Sequence, residues 1–156
     1  MDTINPEQFN NALLALLDES FDDVQGYYLD HGTSLFESLS NITALQASIP
    51  VGGKCATLAA QVKHITYYLD VTLKWQRDGN QEPNDWGEIW STVGAVTPVE
   101  WQTIQTELRV SYENIKAYIQ FSKGWKDHHE LGVMMGILAH TAYHLGEIRQ
   151  ALCSLT

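Results

Sequence analysis

Residues 138–152 read LAHTAYHLGEIRQAL. His140 and His144 stand four apart in this stretch. On an α-helix that spacing puts both rings on one face, about 6 Å apart along the axis. Ile137, Ile148 and Ala151 share the face. Two imidazoles on an otherwise apolar stripe bury their ring nitrogens with few partners, which costs free energy. A metal ion held by both removes the difficulty. An HxxxH pair also arises by chance in many helices, and core histidines are commonly satisfied by a carbonyl or a water. The metal reading therefore gains its weight from a third histidine.

Working outward, the stretch belongs to the last of four long amphipathic segments. The first is expected from about Pro6 to the low twenties, with Phe9, Leu13, Leu16, Leu17 and Phe21 on one face. The second runs from about Lys54 to Arg77, striped by Leu58, Val62, Ile65, Leu69 and Leu73. The third runs from Pro98 to about Phe121 and buries Trp101, Ile104, Leu108, Ile115 and Ile119; the fourth runs from about His128 to Leu155. Asn5-Pro6-Glu7-Gln8 and Thr97-Pro98-Val99-Glu100 are capping boxes with proline at the first helical position, and Asp127-His128-His129-Glu130 repeats the box without proline. A shorter helical piece is expected over Ser34–Leu39, and Pro50-Val51-Gly52-Gly53 is a break. The segment GNQEPNDWGEIWSTVGAV at residues 79–96 is rich in turn formers, and loops of that length inside a domain are usually functional. No alternation long enough for a strand occurs. Residues 1–156 thus read as one all-α domain, a four-helix bundle. The short break between the third and fourth helices predicts antiparallel neighbours, and the longer connections leave room for a crossover.

His64 sits near the middle of the second helix, between Gln61 and Tyr68 and beside the Val62/Ile65/Leu69 stripe. Mid-helix positions in a bundle share roughly one level, so three imidazoles from two helices can converge in the core. Three neutral nitrogen ligands without a carboxylate suit zinc, nickel, cobalt or copper rather than magnesium or calcium. Three protein ligands also leave positions free for water or substrate, the pattern of a catalytic site. His128 and His129 fall in the first turn of the fourth helix, where exposure is expected, and His31 lies in a turn-rich segment.

The charge balance limits the partners. Nine basic residues against nineteen acidic ones give a formal net charge of −10, with no basic cluster. Nucleic-acid binding and docking to an anionic membrane are unexpected on that ground. The N-terminal residues carry acids and amides rather than a signal-peptide pattern, so the chain reads as cytoplasmic. Cys55 and Cys153 lie in no CxxC pair and read as reduced, small apolar fillers near helix ends. Dimerisation is compatible with Trp75, Trp86 and Trp90 near the loops.

These residues resemble the DinB-like (DinB/YfiT) family of metalloenzymes. The resemblance is carried by Ala60-Gln61-Val62-Lys63-His64 with Tyr67-Tyr68-Leu69, by Asp85-Trp86 and Trp101, and above all by residues 139–150, AHTAYHLGEIRQ. It spans nearly the whole chain, although before Pro50 it rests mainly on helix placement. It implies a four-helix bundle with one crossover connection and a metal held by His64, His140 and His144. Characterised relatives include transferases that attach low-molecular-weight thiols to electrophiles, and a thiol-dependent isomerase.

Three functions follow as expectations. The first is a thiol transferase, with a zinc or nickel ion on the three histidines lowering the pKa of a small-molecule thiol for attack on an electrophile; hydrolysis through a metal-bound hydroxide is its nearest variant. Tyr67, Tyr68 and Tyr143 are the candidate substrate-binding residues, against the alternative that they only pack at the bundle rim. Arg149 follows His144 by five positions and points off the ligand face. The second is a binding or structural bundle that its metal merely stabilises. The third is an interaction module whose histidines pack without metal. A carboxylate to orient the imidazoles is expected, and Asp70, Asp85, Glu88 and Glu147 are candidates.

Overall fold

The computed structural model describes residues 4–53, 55–79 and 83–154. They form seven α-helices and no strand, with a lone bridge between Pro50 and Thr57. The long helices are α1 (Pro6–Phe21), α4 (Leu58–Asp78), α6 (Pro98–Gln120) and α7 (His128–Leu152). Short helices α2 (Leu35–Leu39), α3 (Ala44–Ala47) and α5 (Glu88–Thr92) lie between them.

Local chemistry sets these bounds. Asn5 and Thr97 cap α1 and α6 in reciprocal boxes with Gln8 and Glu100, and Pro6 and Pro98 open the helices. Asp127 caps α7 by accepting from the amides of His129 and Glu130, but the box there is incomplete: Glu130 accepts from the Lys126 amide instead. α4 starts at Leu58, capped by Thr57, later than the Lys54 expected; Lys54 itself, like Leu155, lies outside the described residues. Gly79, in the left-handed conformation with φ of 66°, ends α4. α3 has no counterpart in the expected elements. Its box pairs Thr43 with Gln46.

The expected stripes are the core. Leu13, Leu17 and Phe21 of α1, the five stripe residues of α4 and the five of α6 are buried, together with Met134, Ile137, Leu145 and Ile148 of α7. Phe9 and Leu16 are only partly covered. Cross-helix contacts give the directions. Asn10 donates to the carbonyls of Ile119 and Ser122, while Asp18 meets Tyr112 and Lys116 and Asp22 meets Arg109, so α1 and α6 run antiparallel. Lys63 pairs with Glu107 and Ser111 donates to Asp70, so α4 and α6 run parallel. His64 and Tyr68 face His140, while Trp75 and Gly79 share a cleft with residues 126–130, so α4 and α7 run antiparallel.

Packing therefore goes round the four long helices in the order α1, α6, α4, α7. This corrects one expectation: α6 and α7 are antiparallel but stand across a diagonal, not side by side. Seven residues, 121–127, can reach roughly 23 Å, whereas the diagonal of a square of helices about 10 Å apart is about 14 Å. A short link does not force neighbours. Trp125 in that link packs edge-on to Phe9 and donates to Asn10, holding the crossing. Residues 79–97 have the larger task, returning the chain so that α6 starts level with α4.

The cysteine expectation is also corrected. Cys55 and Cys153 are both exposed, so neither fills the core. Both sit where a helix has not begun or has just ended, beyond the apolar stripes. No helix among the described residues is long and apolar enough to cross a membrane.

Candidate metal centre

His64 falls in the contact between α4 and α7 because it stands next to buried Ile65 and two positions after buried Val62 on α4. His140 and His144 lie one turn apart on α7, flanked by buried Ile137 and Ile148. The three rings meet, with centroids 5.1 Å (His64–His140), 4.9 Å (His64–His144) and 4.5 Å (His140–His144) apart. One ligand nitrogen from each lies within 4.8 Å of the others. The Nε2 atoms of His64 and His140 stand 3.2 Å apart. Among the described residues this is the one such group of histidines, cysteines and carboxylates, and it contains no carboxylate.

The surroundings hold the rings neutral. His64 and His144 are 8% and 6% exposed, and His140 is half-buried. Burial, reinforced by neighbouring His144, pushes His64 down to about 4; burial with His144 and His64 pushes His140 down to about 3. Burial also lowers His144, against the opposing pull of Glu147. Glu147 Oε2 lies 2.8 Å from His144 Nδ1, one turn further along α7. With the Nδ1 proton held there, the Nε2 lone pair of His144 is left for a ligand.

Aromatic side chains wall the cluster. Tyr68 stacks on His140 at 3.7 Å between centroids, 11° from parallel. Trp90, from α5, lies over His64 at 4.5 Å and remains 40% exposed. A comparison with protein-family models, with curated proteins and with solved structures finds no match. What the centre can do therefore rests on its own geometry.

That geometry fits a transition metal. Two nitrogens bound tetrahedrally at zinc distances stand roughly 3.3 Å apart, close to the 3.2 Å between the first two Nε2 atoms. The Nδ1 atoms of His64 and His140 are buried without a hydrogen-bond partner in the protein. Two neutral imidazoles turned Nε2 to Nε2 can share at most one proton between them, whereas a cation satisfies both lone pairs at once.

The expected neighbours separate on inspection. Tyr68 touches His140, and Tyr143 sits edge-on to His144 at 5.0 Å, 63% exposed at the mouth. Tyr67 turns the other way: its hydroxyl donates to Asn84, its ring meets Trp86, and it lines a groove of about 470 Å³ between α4 and α6. Of the four carboxylates expected to orient an imidazole, Glu147 takes the place. Asp70 accepts from Ser111, and Asp85 accepts from the amides of Gly87 and Glu88. His31, His128 and His129 are exposed and stand outside the cluster. Trp90 is a site residue that sequence reasoning did not assign. It carried a signal, as an aromatic in a long turn-rich connection.

Proposed function

We propose that the chain is a divalent-metal-dependent enzyme of the DinB-like kind, a four-helix bundle with a crossover connection. In this reading it transfers a low-molecular-weight thiol to an electrophile at a centre formed by His64, His140 and His144. The observation that carries the reading is the convergence of three neutral, buried imidazoles from two helices, one of them braced by a carboxylate. The parallel run of α4 and α6 supports the crossover, since their connection must return along the helices.

A bound zinc or nickel ion would lower the pKa of a coordinated thiol, supplying thiolate at neutral pH. The residues do the rest. Glu147 fixes the His144 tautomer, and Tyr68 holds the plane of the His140 ring by stacking. Trp90 covers one side of the cluster and keeps water from surrounding it. Tyr143, edge-on to the His144 ring and exposed, offers a polar edge beside it for a substrate. Three ligands with no fourth histidine, cysteine or carboxylate among the described residues favour an open catalytic site over a closed structural one.

The test is elemental analysis of protein purified without a histidine tag, beside the double variant His140→Ala/His144→Ala. About one equivalent of a transition metal, lost in the variant, supports the centre and opens a screen of thiols against electrophiles. Metal without thiol transfer but with ester or amide cleavage would move the reading to a hydrolase. Metal without either would leave a bundle that its metal stabilises. A folded, metal-free wild type would sink the enzyme reading.

A further inference from the structure

We propose that Gln61 is the acceptor that orients His64 when the centre holds its metal, an inference that rests on the metal-centre reading above. Four buried side-chain atoms among the described residues have no hydrogen-bond partner in the protein: Gln61 Oε1, His64 Nδ1, His140 Nδ1 and Thr141 Oγ1. All four lie at the histidine cluster or within one helical turn of it. Leaving a buried polar group unpaired costs free energy, so a concentration of such groups marks a place where partners are exchanged.

Two of the four are complementary. A histidine that ligates through Nε2 carries its proton on Nδ1, and a ligating imidazole almost always donates that proton to an outer acceptor. The 3.2 Å approach of the His64 and His140 Nε2 atoms makes Nε2 the ligating atom of His64. Its Nδ1–H is then a buried donor, and Gln61 Oε1 is a buried acceptor three residues earlier on α4. At that separation the Cβ atoms are about 5–6 Å apart, within reach of a glutamine by rotation of its side chain. On α7 an acceptor three residues from a ligating histidine does make such a contact, Glu147 to His144 at 2.8 Å, there from the C-terminal rather than the N-terminal side. Gln61 is 7% exposed, so bulk water competes poorly for either atom.

The alternatives are taken or misplaced. Asp70 is engaged by Ser111 on α6, and Asp85 by two backbone amides of its own turn. Thr141 follows His140 directly, and adjacent residues on a helix diverge too far to face one another. Gln61 is accordingly a positioning residue: it acts through His64 and touches no substrate in this assignment.

The experiment strips the full-length protein of metal with a chelator and titrates it with cobalt(II), following the visible ligand-field bands. Wild type, Gln61→Leu, Gln61→Met and Gln61→Glu are compared, with thermal melting of each metal-free protein as the fold control. The expected result is a loss of cobalt affinity of roughly 10- to 100-fold in Gln61→Leu and Gln61→Met. Their bands should shift, because the His64 ring is no longer held, while Gln61→Glu, which keeps an acceptor, binds at least as tightly as wild type. Gln61→Met carries the argument if the leucine variant fails to fold. Apolar variants with unchanged affinity and bands would overturn the assignment, as would equal losses in all three variants, which would mean bulk rather than acceptor chemistry. A wild type that takes up no cobalt would instead remove the centre itself, and the assignment with it.

Discussion

At His144 the imidazole can present Nε2 to a metal only with its proton on Nδ1, where Glu147 waits at 2.8 Å. Replacing Glu147 by Ala removes that acceptor. The expected outcome is a roughly 10- to 100-fold weaker affinity, measured by competition with a chromophoric chelator, with little change in the melting of metal-free protein. An unchanged affinity would show that the contact does nothing for the centre. The same histidines make a pH prediction. His64 and His140 sit near 4 and 3 in the folded protein, below the ordinary value of 6.5, so the unfolded chain binds more protons between those limits. Metal-free protein is therefore fully stabilised above about pH 6.5 and loses stability as pH falls from there toward 4 for His64 and 3 for His140. The slope is at most about 1.4 kcal/mol per pH unit for each histidine. Urea midpoints at pH 7 and pH 5 check it, and His140→Ala should flatten the slope. The triad was legible in the sequence because helical spacing places side chains on faces. Glu147 was one of four carboxylates left unranked, because ring rotamers, unlike faces, depend on packing from other helices.

Between α1 and α2 the chain has little apolar material, and a single carboxylate organises it. Glu19, fully buried on α1, accepts the backbone amides of Gln25, Tyr27, Tyr28 and Leu29. Burial pushes its carboxyl up, but the four N–H donors outweigh that and hold it at about 2. Glu19→Gln leaves one acceptor oxygen where two are used. The variant should melt earlier than wild type and be cut faster by protease within residues 22–34, which mass spectrometry of the fragments would show. Because the folded value lies below the unfolded one, this contribution is whole above about pH 4.5 and disappears as pH falls toward 2. Cleavage no faster than in wild type would mean the turn is held by its other contacts, such as Tyr28 with Ser20 and Ser34 with the Asp22 carbonyl. Neither Glu19 nor the diagonal placement of α6 and α7 could be read in advance. A buried acid looks like any surface acid in sequence, and a seven-residue link permits both a neighbour and a diagonal partner. Caps and stripes were legible, since Asn5–Gln8, Thr97–Glu100 and the apolar repeats act within one or two turns.

For the molecule as a whole, a metal on His64, His140 and His144 would clip α4 to α7, two of the four long helices whose packing encloses the core. The ligands come from positions 76 residues apart between His64 and His140, so the unfolded chain presents no preformed site. Binding to the folded state alone then adds RT ln(1 + [L]/Kd), about 2.7 kcal/mol at a hundredfold excess over Kd. For a domain of this size each kcal/mol moves Tm by roughly 2–4 °C, so loading should raise Tm by about 5–11 °C. The rise should continue with zinc concentration beyond saturation, as linkage demands, and should vanish in His140→Ala/His144→Ala. A surface site elsewhere would leave the double variant responding like wild type. Metal that binds at one equivalent without moving Tm would mean the unfolded chain holds it nearly as well, and the three histidines would then not act as one clip across the core.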